Sequence, residues 1–136
     1  MTTRGPSAGW AWGIRAGFRD YFAALDDSEV ELRGVSWDAA AEQWRWPSAG
    51  GSLLRFRAHA GALDIAIADA AIEQRAGDRY LVHAGGIALA RLLDDPTTDE
   101  NGTTSYEDVA LTVDGSALFG GIYSPWARME PVHVFS

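Results

Sequence analysis

Leu54-Arg55-Phe56-Arg57-Ala58-His59 and, past Gly61, Leu63-Asp64-Ile65-Ala66-Ile67-Ala68 decide the fold class of this chain. In the first run Leu54, Phe56 and Ala58 alternate with Arg55, Arg57 and His59. In the second, Leu63, Ile65 and Ile67 alternate with Asp64, Ala66 and Ala68. Such alternation is the mark of a strand with one face buried. A glycine between two such runs lets the chain turn back. The two runs therefore predict a strand pair facing a common core.

Working outward, the same period recurs. Val30 and Leu32 alternate with Glu29, Glu31 and Arg33, and Trp44 and Trp46 share one side of a short strand that leads into an Ala49-Gly50-Gly51 turn. Ile72 extends the pattern after Ile67; Arg79 to His83, Val109-Leu111-Val113 and Val132 to Phe135 read as further strands. Ile87 to Leu93 alternates but is also good helix material. Asp94 to Ser105, with Pro96 and Asn101-Gly102, reads as an exposed loop. Only the start looks helical: from Trp10 to about Leu25, the residues Ile14, Phe18, Tyr21 and Leu25 fall on one face. That spacing aims Tyr21 to the apolar side. The expectation is a mainly β, antiparallel sandwich or barrel-like domain with an N-terminal α-helix. Residues 1–9 read as a flexible N-terminal arm and 10–136 as one domain.

Composition excludes several functions. The chain has 136 residues and a formal charge of −8, so it offers no basic face for nucleic acid. All 11 basic residues are arginines, and cysteine is absent, which removes disulfides and thiolate sites. Met1 to Gly9 do not form a signal peptide, and no run has the ~18 apolar residues of a membrane span. As written the chain reads as cytoplasmic; a trimmed leader would make it secreted or cell-surface.

No phosphate loop, zinc signature, calcium loop or nucleophile elbow is present. Gly85-Gly86 and Gly120-Gly121 read as turn glycines, Asp26-Asp27-Ser28-Glu29 as a solvated helix end, and His83 and His133 as exposed strand positions. The 6 tryptophans read as core filling or as an aromatic slot. Tyr21 is either a core-edge residue satisfying its hydroxyl or a ligand, since tyrosinate is one of the few side chains that hold haem iron. His59 by itself is structural or a ligand.

Three blocks join these residues: Trp12-Gly13-Ile14-Arg15 with Phe18-Arg19 and Tyr21; His59-Ala60-Gly61-Ala62-Leu63-Asp64-Ile65; and Leu111-Thr112 with Gly115, Phe119-Gly120-Gly121-Ile122-Tyr123 and Pro131-Val132. Together, and in this order, they resemble the HtaA-type haem-binding domains of actinobacterial haem uptake. The resemblance implies that Tyr21 is the axial ligand of ferric haem b and His59 its hydrogen-bond partner. It also implies a cofactor site near Gly17, Phe18, Arg19, Phe119 and Tyr123. Arg19, Arg55 and Arg57 are candidates for pairing with propionates, and Phe119 and Tyr123 for pressing on the macrocycle. The chain departs from the family pattern at Gly17, Ala58, Ile122 and Pro125-Trp126. The resulting expectation is a non-enzymatic haem-binding protein for transport, acquisition or buffering, with haem-transfer proteins and a homodimer as open partners. Two alternatives stand beside it. One is a peroxidase-like or haem-degrading enzyme, for which Asp64 or His83 would supply the distal group. The other is a haem-free β-sandwich binding a sugar or a protein.

Overall fold

Leu54 lies across from Ile67, Phe56 from Ile65 and Ala58 from Leu63, so the two alternating runs do form an antiparallel pair. The computed structural model describes residues 9–48 and 51–136. In chain order the elements are β1 Gly9–Trp12, α1 Ala16–Ala23, β2 Glu29–Arg33, β3 Ser36–Asp38, β4 Gln43–Pro47, β5 Leu53–Ala58, β6 Leu63–Ala68, β7 Ala71–Arg75 and β8 Asp78–His83. There follow β9 Ile87–Leu92, β10 Thr97–Thr98, β11 Thr104–Tyr106, β12 Val109–Leu111, α2 Val113–Leu118, β13 Arg128–Met129 and β14 Val132–Val134.

The strands make three antiparallel sheets: β10-β11-β14-β1-β4-β3, β13-β12-β9-β8-β7 and β2-β5-β6. Their inner faces meet in one core. At its centre the rings of Phe18, Phe22, Trp44, Phe56 and Phe119 contact one another mostly edge to face. This is the favoured arrangement for aromatic quadrupoles.

The start of the chain differs from expectation. Trp10 and Trp12 belong not to a helix but to β1, a central strand paired with β14 on one side and β4 on the other. All four of its residues are buried. Trp10 stacks on Trp46 at 4.4 Å, and the Trp12 indole N–H donates to the Glu130 carbonyl at 2.9 Å. Ile14, with φ at +64°, breaks the strand, and the helix begins only at Ala16. With Ile14 and Leu25 both outside the helix, the residues it buries are Phe18 and Phe22. Tyr21 is consequently 44% exposed rather than turned into the core.

Smaller corrections follow the same logic. Val113 belongs to α2 rather than to a strand, because Thr112 caps it: its hydroxyl oxygen accepts from Gly115 N–H at 2.9 Å. Ile72 lies in the separate strand β7, and part of the expected loop 94–105 forms β10 and the start of β11. Ile87 to Leu92 is a strand. The N-terminal arm and the turn at 49–50 fall outside the described residues, save that Gly9 opens β1 and Gly51 has φ at +89°.

Candidate functional site

Helix α1 is the first part of the site. No side chain of its own caps it. Glu130, from the far end of the chain, does so instead: its Oε2 accepts from Ala16 N–H at 3.2 Å, and its Oε1 lies 3.4 Å from Arg19. The Glu130 N–H also donates to the Ile14 carbonyl at 2.8 Å. The fully buried Phe18 anchors the helix against Phe56 and Phe119. Held at its start and along one face, α1 presents Tyr21 on its open flank.

The second part follows β5. His59 is not a strand residue; it opens a tight turn, His59–Gly61, in which His59 and Ala60 both adopt left-handed backbone at φ +54° and +55°. The Asp27 carboxylate bridges this turn, accepting His59 N–H at 3.0 Å and Ala60 N–H at 2.8 Å. Those donors, Ala60 first, hold the Asp27 carboxyl below the usual carboxylate range. The turn delivers His59 Nε2 to 3.4 Å from the Tyr21 hydroxyl. Sequence residues 38 positions apart thus meet at one point.

Around the pair opens a cleft of about 450 Å³, walled by Leu63 and Ile65 of β6 and by Leu118, Phe119, Gly120 and Ile122 from α2 and the turn after it. That volume is within the range of small-molecule and cofactor sites. Asp64, at its edge, is locked in a two-pronged pair with Arg55 at 2.8 and 2.6 Å. The Arg55 bond and charge lower its carboxyl below the ordinary range.

The other expected site residues distribute differently. Phe119 lines the cleft, whereas Phe18 lies behind it. Tyr123 packs its ring edge against Phe119 at 6.3 Å and carries the Arg15 guanidinium at 4.8 Å. Burial pushes its phenol up. It supports the wall rather than forming it. Gly17 lies one turn before Tyr21, and a Cβ there would meet nothing within 4 Å.

The expected propionate partners do not line the cleft. Arg19 points to the opposite side of α1, donating to the Gly13 carbonyl at 2.7 Å and pairing with Glu130. Arg57 lies on the outer face of its sheet beside Glu29 and Glu31 at 3.7 and 4.0 Å, and Arg55 serves Asp64. Charge alone does not reveal which face a side chain takes. His83, expected to be exposed, is partly buried with its Nδ1 unpartnered among the described residues, and burial lowers its pKa. His133 meets the Ser105 hydroxyl at 2.7 Å. Sequence reasoning missed Asp27 and Glu130. The one sits in an acidic run that resembles any solvated helix end; the other caps a helix distant in sequence.

The fold and the site together define a β-rich domain that sets an exposed phenol beside an imidazole at one cleft. The chain is a member of the HtaA family: the family described as Htaa matches residues 7–135. Its fold is similar to the C-terminal domain of HtaA from Corynebacterium glutamicum, with TM-score 0.73, 20% identity and 93% of each chain covered. It is similar also to the heme binding protein HtaB of that organism, with TM-score 0.68 and 16% identity over 93% of this chain and 90% of that one. The N-terminal domain of HtaA aligns at TM-score 0.55 and 17% identity over 98% and 99%. No curated protein matches the chain by sequence.

Proposed function

We propose that the protein binds ferric haem b as a transport or acquisition domain rather than as an enzyme, with the Tyr21 phenolate as axial ligand and His59 as its hydrogen-bond partner. The observation that carries this reading is the exposed Tyr21 hydroxyl, 3.4 Å from the His59 imidazole at the mouth of an apolar cleft. Membership of the HtaA family and the likeness to a heme binding protein support it.

The donor set fits a porphyrin better than a bare ion. Among the described residues there is no group of three His, Cys, Asp or Glu side chains able to hold a metal. A porphyrin brings its own nitrogen donors, so one side chain, Tyr21, would suffice to hold its iron. When bound, haem supplies a Lewis-acidic ferric centre.

The chain's own residues then have defined tasks. Leu63 and Ile122 offer apolar surface to a flat ring, at roughly 25 cal/mol per Å² buried, over a floor formed by the buried Ile65 and Phe119. Tyr21 needs no opening of the core to expose its oxygen. A phenol in water keeps its proton to about pH 10, so ligation at neutral pH requires the proton to leave. His59 Nε2 lies where it can accept that proton and donate a hydrogen bond back to the phenolate oxygen. An anionic oxygen ligand favours the ferric state, which suits holding and passing on haem. Asp64, tied to Arg55 as a carboxylate, is a poor proton donor for oxygen or peroxide chemistry.

The test is an absorption titration with hemin. Wild-type protein should give a saturable Soret band, Tyr21→Ala should lose it, and His59→Ala should bind more weakly with a shifted spectrum. Equal titrations for wild type and Tyr21→Ala would end the assignment.

A further inference from the structure

The proposed haem site has a part that neither touches the cleft nor follows from the ligand pair. We infer that Asp27 is a positioning residue for His59, fixing the imidazole toward Tyr21 by clamping the strained turn that carries it. This inference rests on the haem reading above.

The register explains how the clamp arises. In the β2–β5 ladder Glu29 faces Arg57. Continuing that register by two residues brings Asp27 opposite His59, where the ladder has ended. The backbone of His59 and Ala60 has turned left-handed there, so both N–H groups point the same way instead of into a sheet. Two adjacent donors of this kind form a small anion-binding nest, and the Asp27 carboxylate fills it with one oxygen on each N–H.

Neither residue is a glycine, and left-handed backbone is unfavourable for residues with a Cβ. It persists where surrounding structure over-determines it, which is common at functional sites. The same Asp27 follows α1 closely, in a turn closed by Leu25 N–H on the Phe22 carbonyl and Ser28 N–H on the Leu25 carbonyl. Asp27 therefore ties the helix bearing Tyr21 to the turn bearing His59. Without it, the turn keeps the Ala62 N–H bond to the His59 carbonyl at 3.0 Å but loses the clamp on its two left-handed residues, and the 3.4 Å approach of the His59 imidazole to the Tyr21 hydroxyl is lost.

A double-mutant cycle separates this role from a general structural one. Hemin affinity and the phenolate-to-iron absorption bands are measured for wild type, Asp27→Ala, His59→Ala and the double variant. Asp27→Ala should weaken hemin binding about 10-fold, the low end for losing a group that orients a metal's surroundings. Its spectrum should move in the direction of His59→Ala. The double variant should bind within about 2-fold of His59→Ala alone. Asp27→Asn, which keeps the size and one acceptor, should fall between wild type and Asp27→Ala.

A second arm uses haem-free protein. Amide exchange at His59 and Ala60 should accelerate in Asp27→Ala while β5 and β6 keep their protection. The same affinity loss in the His59→Ala background, or unchanged exchange at His59 and Ala60, would overturn the inference. Failure of the haem reading itself would show instead in Tyr21→Ala, and the exchange arm would still decide the role of Asp27.

Discussion

Replacing Glu130 by alanine tests how the site is held from a distance. Its carboxylate accepts Ala16 N–H at 3.2 Å, so the substitution uncaps α1, a loss of about 1 kcal/mol. It also removes the pair with Arg19 at 3.4 Å, whose side chains are 15% and 33% exposed, worth about 0.5 kcal/mol after solvent screening. The sum is about 1.5 kcal/mol, or about 3–6 °C in Tm for a domain of this size. Glu130→Gln keeps an oxygen for the cap and loses only the charge, so it should cost about a third as much. Urea unfolding followed by tryptophan fluorescence, with unchanged m-value, measures both. Glu130→Ala with a wild-type midpoint would refute the reasoning, as would Glu130→Gln losing as much as the alanine variant. Because α1 carries Tyr21, Glu130→Ala should also weaken hemin binding.

Other predictions address neighbouring elements. Gly17→Ala should stabilise by about 0.5 kcal/mol in the same unfolding assay, since the position is helical and its Cβ would meet nothing within 4 Å. Gly115→Ala should destabilise by at least about 2 kcal/mol, because a Cβ there would fall 2.0 Å from the Leu89 carbonyl oxygen. Asp27, Glu31 and Asp64 all have depressed folded-state values, held down by backbone N–H donors for the first and by arginines for the others. Their contribution is therefore complete above the ordinary carboxylate range near pH 4 and is lost as pH falls through the lower folded values. Urea midpoints should therefore fall progressively as pH drops below the ordinary carboxylate range near pH 4, and Asp64→Asn should flatten that dependence.

Much of the fold was legible because alternation and burial agree. In β5 and β6 every second residue enters the core, and the sequence shows it without ambiguity. The first strand was not legible. Trp10, Ile14 and Phe18 lie at helical spacing, and what makes Trp10 and Trp12 a strand is pairing with β4 and with β14 at the other end of the chain. Helix α2 was hidden for a local reason: Val113 continues the alternation of Val109 and Leu111, and Gly115 looks like a turn. In the structure that glycine allows the helix to pack on the Leu89 carbonyl.

At the site, the family resemblance brought Tyr21 and His59 together, and the fold places them side by side. Periodicity alone had turned Tyr21 inward, because Ile14 and Leu25, which helped define that face, both lie outside the helix. The arginines were assigned by charge and strand side. Their carboxylate partners, Glu130, Asp64, Glu29 and Glu31, draw them elsewhere.

Vibrational spectroscopy of the ferric haem complex addresses the axial bond itself. Resonance Raman excitation into the phenolate-to-iron band of the wild-type protein should enhance tyrosinate ring modes and an iron–oxygen stretch, and both should vanish in Tyr21→Phe, which keeps the ring and loses only the oxygen. A wild-type spectrum typical of imidazole ligation, unchanged in Tyr21→Phe, would contradict the account.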